Sequence, residues 1–325
     1  MLTLETLGWD DRFEAELRTC GDGGLRPARV AVAHNAFYQL STADGEVMAE
    51  VAGRLRHRSA GSDARPVVGD WVGIRPGANG SATIEAVLPR RHCFSRKAAG
   101  EPTRRQLVAA NIDTVLVVSG LDDDFNLRRI ERYLVAIRNS GAAPVLVLNK
   151  PDVCPDPETR RAAAAALAPE APLHVIEALR PGGAEPLRRH LPPGRTGALI
   201  GSSGVGKSTI INRLLGRERQ RTAAVRRRDG RGRHTTTQRE LILLPGGGLI
   251  IDTPGMRELQ LWEDSDALDD AFDDVQALAA GCRFRDCEHE GEPRCAVRRG
   301  GGRGGPRGAP PPPPPPLGPG PGGAA

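Results

Sequence analysis

A chain of 325 residues is long enough to bury a sizeable core and to hold two or three domains. Its net charge of +5 favours a polyanionic partner, although only weakly by itself. No apolar stretch approaches the ~18 residues that a membrane span needs, and the N-terminus lacks the basic and apolar regions of a signal peptide. We therefore expect a cytoplasmic protein with no membrane partner.

The first hundred residues predict a short helical leader, residues 1–25, followed by a small β-barrel. Short strand patterns follow one another, separated by turns, and Asp44-Gly45 is a good two-residue hairpin turn. About five strands in so short a stretch favour an OB-fold, which commonly binds oligonucleotides. The alternative is a barrel that only packs against the next domain. The predicted strands are residues 30–33, 38–41, 47–51, 67–74 and 82–87.

From about residue 105 the pattern changes to alternating strands and helices, which is typical of an α/β domain with a parallel sheet. A helix predicted at residues 127–138 is followed by Gly141, a residue that commonly ends helices. Every motif discussed below follows a predicted strand, and open α/β sheets bind ligands at the carboxyl ends of their strands. The predicted strands are residues 115–118, 145–148, 198–200 and 249–251, and a further helix is predicted at 208–215.

Three short motifs indicate the chemistry of this α/β domain. Residues 201–208 read Gly-Ser-Ser-Gly-Val-Gly-Lys-Ser and fit the phosphate loop G-x-x-x-x-G-K-[ST]. Residues 149–152 (Asn-Lys-Pro-Asp) and 252–255 (Asp-Thr-Pro-Gly) are the guanine-reading and γ-phosphate-sensing motifs of GTPases. In an ordinary GTPase the guanine motif follows the phosphate loop, whereas here it precedes the loop by about fifty residues. The order predicts a circularly permuted GTPase domain.

Each residue type in these motifs has a physical role. Glycines let the backbone N–H groups approach the phosphates at the start of a helix. Lys207 is expected to reach the β- and γ-phosphates, and the hydroxyl of Ser208 to ligate Mg²⁺. Asp252 would hold the metal shell, and the Gly255 amide would sense the γ-phosphate. The Asp152 carboxylate would accept hydrogen bonds from the guanine edge, where adenine offers no matching donors.

A segment dense in arginine, residues 226–237, lies where a switch loop belongs. Thr236 is expected to complete the Mg²⁺ shell. The arginines either contact RNA, which would relieve their mutual repulsion, or keep a mobile loop soluble. Many GTPases orient the attacking water with a glutamine just after their γ-phosphate motif, but that position here is Met256. We therefore expect His234 to take this catalytic role; the alternative is that it contacts RNA or is a spacer.

Three cysteines and one histidine cluster within fourteen residues near the end of the chain. A full set of four such ligands is typical of a structural, tetrahedral zinc site, and so short a segment would take its stability from the metal. The alternative is a group of free buried cysteines. Beyond the cluster, the Gly-, Arg- and Pro-rich tail from residue 299 cannot form a packed core and is expected to be disordered. The predicted zinc ligands are Cys282, Cys287, His289 and Cys295.

Taken together, these residues resemble the small-subunit ribosome biogenesis GTPases of the RsgA or YjeQ type. The resemblance implies an OB-fold β-barrel, a circularly permuted α/β P-loop GTPase domain and a zinc-binding segment. It also implies a GTP hydrolase that binds the small ribosomal subunit, contacts its rRNA, is stimulated by it and acts as a late maturation checkpoint. We expect GTP or GDP, Mg²⁺ and one structural Zn²⁺ to bind to a monomer. The matching stretches are residues 66–72, 109–113, 201–209, 232–237 and 282–297.

The resemblance also assigns domains and site residues. Where the family usually has a Ser-Ala pair against the base, this chain has Glu177-Ala178, so only the backbone amide of Ala178 is expected to serve there. The expected division is a leader at 1–25, an OB-fold RNA-binding domain at 26–100, a GTPase domain at 101–265, a zinc-binding domain at 266–298 and a disordered tail at 299–325. The implied GTP-binding residues are Asn149, Lys150, Pro151, Asp152, Ala178, Gly201, Ser202, Ser203, Gly204, Val205, Gly206, Lys207, Ser208, Thr209 and Gly255. Catalysis falls to His234 and Lys207, magnesium binding to Ser208, Thr236 and Asp252, and zinc binding to Cys282, Cys287, His289 and Cys295.

Two other classes of function compete with a GTP hydrolase. One is an RNA-binding assembly factor in which GTP is a sensing ligand with little turnover. The other is a phosphate-loop ATPase or kinase, against which the guanine motif at residues 149–152 argues.

Overall fold

The computed structural model describes residues 3–20, 23–34, 37–58, 65–77, 80–98, 101–217 and 239–252. All of them belong to one unit of the chain, residues 1–264. The predicted switch loop, the end of the γ-phosphate motif, the zinc ligands and the tail lie outside the described residues.

The predicted helical leader is confirmed. It contains a 3₁₀-helix, Glu5–Leu7, and helix α1, Asp11–Thr19. The side chain of Asp10 caps α1 by accepting hydrogen bonds from the main-chain N–H groups of Arg12 and Phe13, a role that suits aspartate. The helix buries Phe13 and Leu17, and the Phe13 ring lies 5.8 Å from that of Trp71 in the barrel. The leader therefore packs against the barrel.

Five strands close into the predicted OB-like barrel. Strand β3 pairs in parallel with β5, the other pairs are antiparallel, and β4 returns to β1. The barrel encloses an apolar core that includes Val30, Leu40, Val72 and Ile84. The strands are β1 (Arg26–Ala33), β2 (Tyr38–Thr42), β3 (Gly45–Val51), β4 (Trp71–Pro76) and β5 (Ser81–Val87), and helix α2 (Gly53–Arg58) follows β3.

The predicted start of one barrel strand was wrong. Residues 67–74 were expected to form it, but β4 starts only at Trp71. The Asp70 carboxylate accepts a hydrogen bond from the Val67 N–H at 2.8 Å, and Gly69 has a φ of +91°. These two features turn the chain and override the strand-like pattern of valines. A hairpin follows the barrel and forms a separate two-stranded sheet, β6 (Cys93–Ala98) and β7 (Glu101–Ala110).

Among the described residues, the α/β part has six strands in the order β10-β9-β8-β11-β13-β12. The first five are parallel, and β12 is antiparallel to β13. Every residue of β8 is buried, as expected for a central strand of a parallel sheet covered on both faces. The strands are β8 (Thr114–Gly120), β9 (Ala143–Asn149), β10 (Leu173–Ile176), β11 (Thr196–Ile200), β12 (Glu240–Leu243) and β13 (Leu249–Asp252).

In the part of the chain that the structure describes, three α-helices and two 3₁₀-helices accompany this sheet. Asn126 caps the first helix, and Gly141 ends it with a φ of +81°, as predicted from the sequence. None of the helices in the described part of the chain is long and apolar enough to cross a membrane. The helices are α3 (Leu127–Ser140), α4 (Pro157–Leu167) and α5 (Lys207–Leu215), with 3₁₀-helices at Pro151–Val153 and Glu185–His190.

Arg29 connects the leader, the barrel and the α/β sheet. Its side chain is only 1% exposed. The guanidinium donates to the carbonyls of Leu7, Gly69 and Asn111 and, at 2.8 Å, to the hydroxyl of Thr196 at the start of β11. Burial is the main cause that lowers the pKa of Arg29 to about 10. A second link is the antiparallel pairing of β1 with β12, where Val32 lies opposite Glu240.

Candidate nucleotide site

The predicted nucleotide motifs converge at one edge of the parallel sheet. Asn149, the last residue of β9, lies opposite Gly120 of β8 on one side and Ile176 of β10 on the other. On the far side of β8, β11 ends at Ile200 and leads into the phosphate loop, and its neighbour β13 ends at Asp252. Four predicted site segments thus follow strands whose carboxyl ends share this edge: the guanine motif, the phosphate loop, the predicted magnesium ligand Asp252, and residues 177–179 after β10, which we call the base loop.

The phosphate loop requires its glycines for two different reasons. Gly201, Gly204 and Gly206 have φ values of +146°, +85° and +105°, which L-residues with a Cβ adopt rarely. A Cβ on Gly201 would also collide with the Val118 carbonyl, whereas the space beside Gly204 is open. Gly206 is the residue before α5, so the first N–H groups of that helix belong to the loop. Such an N-terminus suits an anion.

The side chain of Lys207 lies against the loop that precedes it. Its Nζ donates to the carbonyls of Gly201 at 2.7 Å and Ser202 at 2.6 Å. Burial lowers the pKa of Lys207 to about 8, and the nearby charge of Asp124 acts in the opposite direction. The ammonium is therefore held among carbonyl oxygens at the start of α5, where a phosphate would give it a full counter-charge.

Asn149 connects the guanine motif, of which it is the first residue, to the phosphate loop and to the base loop. Its Nδ2 donates to the carbonyl of Val205 in the phosphate loop at 2.8 Å, and its Oδ1 accepts from the N–H of Ala178 at 3.0 Å. The side chain is only 4% exposed. The Ala178 amide, which is expected to contact the base, therefore has an acceptor within the protein.

The rest of the guanine motif forms a tight turn. Lys150 has a φ of +66°, in the left-handed region, and Pro151–Val153 follow as a 3₁₀-helix. The Lys150 ammonium lies 2.6 Å from the Asp122 carboxylate. Asp152 is exposed to solvent. This places the predicted guanine-reading carboxylate where a ligand can reach it.

Contacts made by three residues in this region were not predicted from the sequence. Arg213 of α5 donates through Nε to the carbonyl of Ala178 at 3.2 Å and through Nη2 to the carbonyl of Leu179. The other two residues are Asp122 and Asp124, which follow β8 and contact the guanine motif and the phosphate loop. The signal available was weak, because an arginine in a helix and aspartates in a loop occur on most protein surfaces.

The predicted magnesium ligands are described only in part. Ser208 is half-buried in the first turn of α5, and Asp252 is buried at the end of β13. A hydroxyl and a carboxylate are hard oxygen donors of the kind that Mg²⁺ prefers. In the described ranges, no three His, Cys, Asp or Glu side chains come together as a metal cluster. Thr236, His234, Gly255 and the four predicted zinc ligands lie outside those ranges.

Comparisons with known proteins agree with this geometry. Residues 87–262 match the sequence model of the RsgA GTPase family. A protein of Opitutus terrae named small ribosomal subunit biogenesis GTPase RsgA is 50% identical over 307 residues, which are 91% of this chain and 84% of that protein. The protein of the same name from Syntrophotalea carbinolica is 46% identical over 306 residues, which are 92% of this chain and 84% of that protein.

Solved structures share the fold at lower sequence identity. The crystal structure of YjeQ from Thermotoga maritima matches with a TM-score of 0.57 and 24% identity, over 86% of this chain and 92% of that one. YloQ, described as a circularly permuted GTPase, matches with a TM-score of 0.54 and 19% identity, over 86% of this chain and 88% of that one. The predicted circular permutation of the GTPase fold is confirmed.

Proposed function

The chain belongs to the RsgA GTPase family and is a hydrolase that acts on GTP, and we propose that it uses this activity as a checkpoint late in the assembly of the small ribosomal subunit. The relatives that are 46–50% identical to it are named for biogenesis of that subunit. In this proposal the subunit and its rRNA are the partners, the protein acts as a monomer, and its location is the cytoplasm.

The proposed guanine site is supported above all by the two hydrogen bonds of the Asn149 side chain. It links the guanine motif to the phosphate loop and to the base loop, so base and phosphates would be bound by one connected structure. Asp152 is the residue that selects guanine, because its carboxylate matches the N1–H and the exocyclic amine of that base. An adenine would leave the carboxylate without donors, and sites of this kind reject such analogues strongly.

The phosphates are held by the loop N–H groups and by Lys207, which stabilises the negative charge of the transferred phosphoryl group. Ser208, Thr236 and Asp252 are the residues that would hold Mg²⁺. When bound, the ion neutralises charge on the β- and γ-phosphates. Gly255 senses the γ-phosphate through its amide, and Thr209 completes the phosphate-binding residues.

Hydrolysis by the isolated protein is slow in this proposal, because Met256 cannot orient water. His234 supplies this function when the protein is bound to rRNA. The arginines of the segment at residues 226–237, together with the OB-like barrel, contact rRNA phosphates. Cys282, Cys287, His289 and Cys295 hold one structural Zn²⁺.

The test is GTP turnover by the full chain with and without purified small subunits. We expect slow turnover alone and a large increase with subunits, and we expect His234→Ala to lose the increase while GTP affinity and subunit binding persist. Turnover that stays slow with bound subunits would instead support an assembly factor for which GTP is a sensing ligand. Wild-type stimulation of the His234→Ala variant would remove the catalytic role of His234.

A further inference from the structure

A short loop between β8 and α3 contacts both halves of the nucleotide site. We call residues 121–126 the bridging loop. Its first residue, Leu121, donates its main-chain N–H to the carbonyl of Asn149 at 2.7 Å. Arg160 of α4 donates to the carbonyls of Leu121 and Asp122 at 2.9 and 2.8 Å. The main chain of the loop is therefore fixed to the end of β9 and to a helix.

Asp122 connects the bridging loop to the guanine motif. Its Oδ2 accepts a hydrogen bond from the Lys150 ammonium at 2.6 Å. This contact is the main cause that lowers the pKa of Asp122, so the carboxylate is ionised at neutral pH. The preceding residue is Gly120, and a Cβ there would collide with the Asp122 carboxylate. The local sequence thus leaves room for the side chain to turn back towards Lys150.

Asp124 connects the same loop to the phosphate loop. Its Oδ2 accepts a hydrogen bond from the hydroxyl of Ser202, a residue that is only 7% exposed. The same Oδ2 lies 2.8 Å from Nη2 of Arg129 on α3. Arg129 also donates to the main-chain carbonyl of Asp124. The arginine offsets the negative charge of Asp124, which would otherwise oppose the binding of a polyphosphate to this loop.

We propose that Asp122 and Asp124 are positioning residues that keep the guanine motif and the phosphate loop at a fixed separation. Neither residue needs to touch the nucleotide. Together they form a continuous path from Lys150 through the bridging loop to Ser202, parallel to the direct link that Asn149 makes. The proposal rests on the proposed function, since it assumes that a guanine nucleotide binds with its base at one motif and its phosphates at the other.

The consequence is specific to ligands that occupy both halves at once. When two binding elements are held at the correct separation, the second contact is made at a high effective concentration, and this gain is lost if the elements move independently. Loss of the bridging contacts should therefore weaken GDP and GTP, which span both motifs. Guanosine, which engages only the guanine motif, should be affected much less.

The experiment uses the full chain and four variants: Asp122→Asn, Asp124→Asn, Ser202→Ala, and the Asp124→Asn, Ser202→Ala double variant. Asp123→Asn is the matched control, because Asp123 is an exposed carboxylate in the same loop. Dissociation constants are measured for GDP by titration and for guanosine by competition, with thermal unfolding of each nucleotide-free variant.

We expect Asp122→Asn and Asp124→Asn each to weaken GDP about tenfold, as for the loss of a hydrogen bond to a charged group. The same variants should change guanosine affinity less than about twofold, and Asp123→Asn should change neither ligand by more than that. Because Asp124 and Ser202 act through one contact, the double variant should weaken GDP no more than the more severe single variant. In GTP turnover by Asp122→Asn and Asp124→Asn, KM should rise while kcat stays close to that of the wild type.

Four results would overturn the proposal. Equal losses for GDP and guanosine would mean that the aspartates only stabilise the domain, as would a fall in unfolding temperature that accounts for the loss of affinity. Unchanged GDP affinity would mean that the bridging contacts do not position the motifs. Additive losses in the double variant would remove the coupling between Asp124 and Ser202. A wild-type protein that does not bind GDP at all would contradict the proposed function itself, which is a different outcome.

Discussion

Asn149 and Val205 are joined by a hydrogen bond of 2.8 Å from the side-chain Nδ2 of one to the main-chain carbonyl of the other. Both residues are buried. Asn149→Ala would leave the Val205 carbonyl and the Ala178 N–H without their partner, and an unsatisfied buried polar group costs about 1–3 kcal/mol. We expect GDP affinity to fall at least about tenfold and the unfolding temperature to decrease, measured by titration and by thermal denaturation. Unchanged values of both would contradict the bridging role.

Asp152 is predicted to determine the choice of base. In Asp152→Asn an amide donor replaces one carboxylate acceptor, which suits xanthine, whose edge has the reversed polarity at that position. We expect GTP to bind more weakly and xanthosine triphosphate more tightly, with ATP still excluded, in competition titrations. The fold should be unaffected, since Asp152 is exposed. Equal affinity of the variant for GTP would show that another residue reads the base.

Arg213 is expected to stabilise the base loop. Its guanidinium donates to the carbonyls of two successive residues, Ala178 and Leu179, while Asn149 holds the Ala178 N–H from the other side. Arg213→Lys keeps the charge but cannot donate in this forked geometry. We expect both Arg213→Lys and Arg213→Ala to weaken GDP about three- to tenfold by titration. Arg217→Ala, at an exposed position just after α5, is the control; equal effects would indicate a general loss of positive charge.

The His174–His190 pair predicts a pH dependence of stability. Their Nε2 atoms are 2.8 Å apart, which allows one shared proton. Burial and then the charge of Arg189 lower the pKa of both rings from about 6.5, and His190 adds to the effect on His174. Below about pH 6.5 the two histidines of the unfolded chain bind protons more readily than those of the folded protein. The free energy of unfolding that is present above pH 6.5 is therefore lost as the pH falls.

Thermal denaturation from about pH 7.5 to about pH 5 checks this expectation. The wild type should lose more stability over that range than His190→Gln, which removes one of the two titrating rings. His34→Gln changes a histidine of the barrel region and serves as the control. A His190→Gln protein with the wild-type pH dependence would show that the acid sensitivity has another source.

The zinc prediction concerns residues outside the described ranges and can be tested directly. Purified protein is expected to contain about one equivalent of zinc by elemental analysis. Cys287→Ala should lose the metal and should lower the stability of the C-terminal segment, because the metal would supply the free energy of folding there. Cys93→Ala, which removes an exposed free cysteine, should keep the full metal content. Full zinc in Cys287→Ala would refute the proposed ligand set.

Much of the fold follows from local sequence patterns. The hairpin turn at Asp44-Gly45, the helix end at Gly141 and the buried strand before Asn149 are each specified by neighbouring residues, and the structure has all three. The predicted start of β4 was wrong because the turn at residues 67–70 depends in part on a contact that is remote in sequence. The Asp70 carboxylate is held by Arg90, with two contacts of 2.7 Å, and this ion pair lies across twenty residues of sequence.

The same distinction between local patterns and remote contacts holds for the candidate nucleotide site. Motif spacing predicts which residues approach the nucleotide, because each motif follows a strand of the same sheet. Residues that hold the motifs together leave no such pattern, since their partners are remote: Asp122 is 28 residues from Lys150, Asp124 is 78 from Ser202, and Arg213 is 35 from Ala178. Only the three-dimensional arrangement identifies them.

The buried guanidinium of Arg29 has a consequence for the order in which the protein forms during translation. Its partner Thr196 is 167 residues further along the chain, and Asn111 is 82 residues further. Arg29 therefore leaves the translating ribosome long before two of its four partners, Asn111 and Thr196, have been synthesised, and part of its charge has to stay hydrated until then. Contacts across such long chain separations form slowly. The contacts of Arg29 between the barrel and the α/β sheet are thus among the last in the protein to form, after synthesis has passed β11.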